Sequence, residues 1–249
     1  MFELTRRGQV AVLQMTHGKA NAMDLEFVRG LNAQVHAIQQ SDARALVITG
    51  QGKMFSAGVD LVRVVEGGAP YVREFLPAMN HTFEALFAFS KPLVAAVNGH
   101  AIAGGCVLAC CADYRLMARE PGRIGLPELL VGVPFPVVPL EIVRFATPRQ
   151  HVQALIYRGL TLPAEDAFRY GLIDAVAEPD RLLDEAVAVA DQLAGIAFES
   201  FHLTKRLLRE PVIRLMREGG VIDGVVQDAW AGETVLGAVR DYVARTLKK

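Results

Sequence analysis

Two small-residue turns and one isolated carboxylate are the parts of this chain best suited to chemistry. The first turn reads Met54-Phe55-Ser56-Ala57-Gly58-Val59-Asp60-Leu61. Small side chains at Ala57 and Gly58 let a ligand approach the backbone, and Gly58 is free to adopt dihedrals closed to other residues. An amide in such a turn can donate to an oxygen on which negative charge develops, although a purely structural turn would look the same. The second turn, Asn98-Gly99-His100-Ala101-Ile102-Ala103-Gly104-Gly105-Cys106, lies where an apolar strand passes into a helix. Unpaired amides and the positive end of the helix therefore point toward one mouth. The turn lacks the Lys-Ser/Thr ending of a phosphate-binding loop and does not match the first-strand GxGxxG pattern of dinucleotide sites. Close helix packing explains it as readily as anion binding does. The carboxylate is Glu128, alone in the apolar segment Ile124-Gly125-Leu126-Pro127-Glu128-Leu129-Leu130-Val131-Gly132. Apolar surroundings raise a carboxyl pKa toward a value useful for proton transfer; a solvent-facing glutamate at a helix start is the plainer alternative.

These groups need a frame to hold them. Val10–Met15 reads as a strand. Asp24 is placed to cap a helix over about 25–40, in which Phe27, Leu31, Val35 and Ile38 recur at spacings of three and four. Ala45–Thr49 and Leu93–Val97 are short, wholly apolar strands, and a helix over about 70–89 lies between them. A helix over about 104–111 follows the second glycine turn, and Tyr114–Met117 then reads as a strand. Strands that are apolar almost throughout, separated by helices, imply a sheet covered on both faces. Beyond about residue 126 the pattern becomes helical, at 152–157, 163–170, 181–193 and 200–208. The third of these carries a broad stripe of Leu182, Leu183, Ala186, Val187, Ala190 and Leu193. Strand-turn-helix units recur loosely, without a strict repeat. The segment Val62–Tyr71 is expected to be flexible and to shape a pocket.

Bulk properties exclude several classes. The 249 residues are 52% hydrophobic and 21% charged, a globular balance with enough apolar mass for one core and no linker to divide it. A formal charge of -1 gives no general nucleic-acid surface. The basic pairs Arg6-Arg7, Lys205-Arg206 and Lys248-Lys249 read as solvated faces, or as local contacts to a phosphorylated cofactor. Cys106, Cys110 and Cys111 crowd one apolar segment and read as buried thiols in a reducing compartment. The six histidines have no metal-ligand spacing. Neither a secretory signal nor an apolar run long enough to span a membrane is evident, and a cytoplasmic location is the expectation.

The two turns, together with Lys91-Pro92-Leu93-Val94-Ala95-Ala96-Val97-Asn98-Gly99, resemble the enoyl-CoA hydratase/isomerase, or crotonase, family. The resemblance begins near Ala20-Asn21-Ala22-Met23 and continues through Pro163-Ala164-Glu165-Asp166-Ala167 and Tyr170-Gly171-Leu172-Ile173-Asp174. It implies an α/β, crotonase-like spiral of ββα units. The core would span 1–195, with a C-terminal helical region over 196–249 that belongs to the same catalytic unit and supports trimerisation. It also implies a coenzyme A thioester as substrate, no tightly bound cofactor, no metal, and self-association as a trimer or a dimer of trimers.

By the same resemblance the backbone N–H groups of Ala57 and Gly104 form an oxyanion hole, and Glu128 matches an acid/base carboxylate. Asp60, His100, Val107 and Phe135 line the acyl pocket or support its loops. Lys205 is a candidate contact to a CoA phosphate, with surface solubility an equal explanation. Asp113 secures a turn, and Trp230 shapes C-terminal packing. Two positions depart from the hydratase pattern. The second hydratase carboxylate is replaced by Val107, and the Gly-rich stretch after the Pro-Glu segment is replaced by Val133-Pro134-Phe135-Pro136-Val137-Val138-Pro139. One carboxylate beside a stabilised enolate suffices to move a 3-enoyl double bond to the 2-position, so an enoyl-CoA isomerase is the expected activity. A hydratase or another crotonase-type lyase is the alternative. A non-catalytic acyl-CoA-binding protein or structural oligomer is the reading of a different class.

Overall fold

The apolar strands pair into two sheets. The computed structural model describes residues 1–246, so the Lys248-Lys249 pair lies outside the described residues. In chain order the elements are β1 (Phe2–Arg7), β2 (Val10–Met15), α1 (Leu25–Gln40), β3 (Ala45–Thr49), β4 (Met54–Ser56), α2 (Leu61–Phe87), β5 (Leu93–Val97), β6 (His100–Ile102), α3 (Gly104–Cys110), β7 (Tyr114–Ala118), β8 (Ile124–Gly125) and α4 (Glu128–Val131). They continue as α5 (Val137–Ala146), α6 (Arg149–Tyr157), β9 (Thr161–Leu162), α7 (Ala164–Arg169), β10 (Ala175–Ala177), α8 (Leu182–Ala194), α9 (Phe198–Glu218), α10 (Gly220–Ala231) and α11 (Glu233–Thr246).

The larger sheet runs β1-β2-β3-β5-β7-β10 and the smaller β4-β6-β8-β9. Three successive units, β3-β4-α2, β5-β6-α3 and β7-β8-α4, each place their first strand in the larger sheet and their second in the smaller one. This is the ββα spiral, and the crotonase-like α/β expectation holds. Strands β2, β3, β5, β7 and β10 are parallel, while β1 joins β2 antiparallel with Phe2 opposite Met15 and Arg7 opposite Val10.

Both faces of the larger sheet are covered, as its apolar strands imply. On one face Val10, Val12, Ala45, Val47, Val94 and Ala96 pack against α8, whose Ala186, Ala190 and Ala194 recur every four residues and allow close approach. On the other, Leu13, Leu46, Ile48 and Val97 belong to the main core with Phe27, Phe75, Phe83 and Phe87 of α1 and α2. The three thiols of the α3 region are buried and unpaired. Burial pushes the Cys111 thiol far up, so it has no nucleophilic character at neutral pH.

Local differences from the sequence reading have physical causes. Strand β1 (FELTRR) shows no apolar alternation because all but its first residue are exposed. Helix α5 is disguised by Pro136 and Pro139. Pro136 precedes the helix, and Pro139 lies in its first turn, where an N–H has no intrahelical partner to lose. The stretch expected to be flexible, Val62–Tyr71, is instead mostly helical. Asp60 caps α2 through Val62 N (3.0 Å) and Arg63 N (3.1 Å), and the only break falls at Gly68 (φ 56°), two residues before Pro70.

The first half of helix α9 inverts the usual polarity. Lys205 and Arg209 face inward, whereas Leu203, Leu207, Leu208 and Leu215 are exposed. The inward cations converge on Asp113: Lys205 Nζ donates to Oδ2 and a guanidinium nitrogen of Arg209 donates to Oδ1, each at 2.7 Å. Asp113 Oδ2 also accepts from Leu93 N at 2.8 Å, which ties α9 to the start of β5. Asp113→Asn leaves two buried cations without their counter-charge and should lower unfolding stability by about 3–5 kcal/mol in urea titrations. Glu74→Gln, which breaks the exposed Arg29–Glu74 pair, should cost less than about 1 kcal/mol.

Candidate active site

Strand β6 lies between β4 and β8, all three parallel, so the turns that follow them emerge side by side. These are the two small-residue turns and the segment bearing Glu128. Three neighbouring strand ends thus bring together residues about 70 positions apart in sequence.

The first turn is held from below by Asn21, which is fully buried with φ 46°. Its Nδ2 donates to the carbonyls of Met15 and Phe55, both at 3.1 Å, and its Oδ1 accepts from His17 N at 2.7 Å. Ser56 Oγ donates to the Asn21 carbonyl at 2.7 Å. In this arrangement the Ala57 amide is already spent, because it donates to the Ala20 carbonyl at 3.0 Å. The expectation that Ala57 supplies an oxyanion donor is therefore corrected. The free amide is that of Val59. Met23 bridges the turn by donating to the Gly58 carbonyl (2.7 Å) and accepting from Asp60 N (2.9 Å). In a parallel bridge of this kind the residue between those two bonds turns its own N–H to the opposite side. Val59 N has no acceptor among the described residues, and Val59 lines a cavity.

Gly58 brings this turn against the second. Its φ is +80°, and a Cβ there would lie 2.6 Å from the Ile102 carbonyl oxygen and 2.9 Å from Gly104 N. In the second turn Ala103 precedes α3 with φ 52° and ψ −122°, a conformation that strains a residue carrying a Cβ. Its N–H donates to the Gly125 carbonyl at 2.8 Å, which anchors the turn to β8. Gly104 N, at the start of α3, has no acceptor among the described residues. Val59 and Gly104, each with an unspent amide, therefore line one cavity.

That cavity has a volume of about 490 Å³ and a largely apolar lining. Glu128, the first residue of α4, reaches it with Oε2 buried and without a hydrogen-bond partner among the described residues. Desolvation raises its carboxyl pKa to about 8, opposed only by a hydrogen bond to its own backbone. Asp60 also lines the cavity, but its carboxylate is committed to capping α2. Val107 and Phe135 line the wall, and Val107 offers no proton or water ligand. Trp230 and Tyr242, from α10 and α11, complete it, and Trp230 Nε1 donates to the Pro134 carbonyl at 2.8 Å.

Two of the expected residues do not line the cavity. His100 belongs to β6, where its N–H donates to the Lys53 carbonyl at 2.9 Å, and it does not line the cavity. Lys205 is buried against Asp113 and the Lys91 carbonyl, so its ammonium is not free for a phosphate. Burial lowers its pKa to about 8. Among the described residues no group of three or more His, Cys, Asp or Glu converges as a metal site, and no helix is long and apolar enough to cross a membrane. Val59 was missed because its neighbours in sequence look equally able to donate. Only the bridge to Met23 decides which amide is free.

Comparison with known proteins accords with this geometry. A family model described as enoyl-CoA hydratase/isomerase matches residues 5–219. A Thermus thermophilus protein described as a putative enoyl-CoA hydratase is 37% identical over 234 residues, covering 92% of this chain and 91% of that one. The apo structure of an enoyl-CoA isomerase from Mycobacterium tuberculosis matches at a TM-score of 0.82 and 30% identity, over 92% of this chain and 97% of that one. Human mitochondrial Δ3-Δ2-enoyl-CoA isomerase matches at a TM-score of 0.94 over 99% and 98% of the two chains. At 22% identity, this is a likeness of fold alone.

Two stability measurements probe the site without any ligand. Ala103→Gly relieves the positive-φ strain, partly offset by the entropy of a glycine in the unfolded chain, and should raise stability by about 1 kcal/mol. A destabilised variant would show that the turn is not strained. Glu128 holds its proton more tightly folded than unfolded. Its contribution to stability is complete below the ordinary carboxyl range near pH 4.5 and is lost as pH rises through about 8. The Tm of Glu128→Gln minus that of the native protein should therefore increase between pH 5 and 8 and level off above. A difference independent of pH would place the carboxyl in water.

Proposed function

Since the chain belongs to the enoyl-CoA hydratase/isomerase family and is an enzyme of CoA-thioester chemistry, we propose that it moves the double bond of a 3-enoyl-CoA to the 2-position. The reading is carried by one observation: a single uncommitted carboxylate, Glu128, shares an apolar cavity with two uncommitted amides. The thioester oxygen sits between Val59 N and Gly104 N. Ionised Glu128 removes a proton from C2, and the electron pair passes into the carbonyl as a dienolate whose oxygen the two amides stabilise. One such donor is worth about 3–4 kcal/mol in the transition state. The same carboxyl then returns the proton at C4 as the double bond forms between C2 and C3, which restores the ionised base.

Hydration makes a further demand, because a water must be held and activated at C3. Val107 stands where a second carboxylate would serve, and the loss of a positioned acid or base commonly costs 10²–10⁴-fold, taken as an order of magnitude. The hydratase or lyase alternative draws its support from relatives described as enoyl-CoA hydratases.

Leu203, Leu207 and Leu208 of α9 and Val221, Ile222 and Val225 of α10 are exposed, and this apolar surface supports self-association as a trimer or a pair of trimers. The three free thiols fit a reducing compartment such as the cytoplasm.

The test is turnover and acyl-CoA binding by the native protein and Glu128→Gln, with products resolved. Isomerisation of 3-hexenoyl-CoA should fall by at least about 10²-fold in the variant, while affinity changes little. For the native enzyme kcat/KM should rise with pH toward about 8, since the free base must be ionised. Near-native isomerisation by the glutamine variant removes Glu128 from this role. Strong hydration of 2-enoyl-CoA with little double-bond migration promotes the lyase alternative.

A further inference from the structure

A second and larger depression, of about 1240 Å³, adjoins the catalytic cavity. It is lined by Leu140, Val152 and Ile156 together with Arg144, Arg149 and Gln153. The two spaces share just two lining residues, Pro134 and Phe135. The partition between them is therefore the short segment before α5, and Phe135 is its one large side chain.

We propose that Phe135 determines acyl-chain length by closing the catalytic cavity off from this second space. The proposal rests on the acyl-CoA reading above and adds the class of acyl group. Chains that end against the Phe135 ring are accepted, and longer ones are turned back.

The backbone of the partition is fixed independently of that ring. Pro134 and Pro136 restrict the chain on either side. The Pro134 carbonyl accepts from Trp230 Nε1 at 2.8 Å, and Val137 N donates to Asp223 Oδ1 at 2.7 Å. Both anchors belong to α10. The ring thus projects from a braced segment, not from a mobile loop. Removing it leaves an opening that its surroundings cannot readily refill, because cores relax only partly around a deleted side chain. An apolar tail entering the second space meets Leu140, Val152 and Ile156 among its lining residues.

The experiment compares kcat/KM for 3-hexenoyl-CoA and 3-hexadecenoyl-CoA in the native enzyme, Phe135→Ala and Phe135→Leu. The native enzyme should favour the shorter substrate. Phe135→Ala should raise the long-to-short ratio by at least about 10-fold, the scale on which pockets discriminate by a few methylenes, with an intermediate shift for Phe135→Leu. The leucine variant keeps most of the apolar volume and preserves the test if the alanine variant folds poorly. An unchanged or lower ratio, with 3-hexenoyl-CoA still isomerised, overturns the proposal and leaves the isomerase reading intact. If the native protein isomerises neither substrate, the isomerase reading fails separately. The affinities of the same proteins for hexanoyl-CoA and palmitoyl-CoA then decide the role of Phe135 by the same ratio.

Discussion

The parallel pairing of β6 between β4 and β8 is the constraint on which the site depends. Ala101 and Ile102 face Ile124 and Gly125 on one side, while His100 and Ala101 face Met54 and Ser56 on the other. Parallel neighbours end on the same side of a sheet, so the turn after each strand opens onto common ground. Each ββα unit contributes one such turn. Two deliver a free amide and the third delivers Glu128. Small residues let the units come this close. A Cβ at Gly105 would lie 2.2 Å from the Ser56 carbonyl oxygen, so α3 can rest on β4 only because none is there.

The free energy of folding is spent unevenly around this ground. Asn21 and Ala103 both hold positive φ, and Glu128 lies in a lining that gives its Oε2 no partner. Each feature opposes stability, by strain in two cases and by desolvation in the third. Each also serves the geometry: Asn21 braces the first turn, Ala103 aims the start of α3, and desolvation brings a carboxyl near neutrality. Two core faces on the larger sheet supply the compensating apolar burial.

The C-terminal helices contribute in a less obvious way. The first half of helix α9 buries two cations on Asp113 and leaves leucines outside, the reverse of an isolated amphipathic helix. The buried ions dock it at a fixed register against β5, because a shift would separate charges that cannot be resolvated. Helices α10 and α11 can then carry Trp230 and Tyr242 to the cavity from more than a hundred residues after Glu128 in the case of both.

Much of this was legible in the sequence. Ala45–Thr49 and Leu93–Val97 are strands with the limits their apolar runs imply, and Asp24 caps α1 as its position suggests. The two turns and Glu128 stand out by residue type and local order, whereas Gly104 as a donor and the meaning of the valine at position 107 follow from the family resemblance. By itself the sequence determined the order of β2, β3, β5 and β7 with their helices, the apolar cover of the larger sheet and the solitary carboxylate; the ββα order followed from the family resemblance, because β4, β6 and β8 are only two or three residues long. Tertiary structure decided which atoms remain free. Ala57 and Val59 look interchangeable until Ala20 takes one amide and Met23 turns the other away. Lys205 looks like a surface cation until Asp113 draws it inside. Hydrogen bonds are used up by partners distant in sequence, and no local pattern of residue types records where those partners stand.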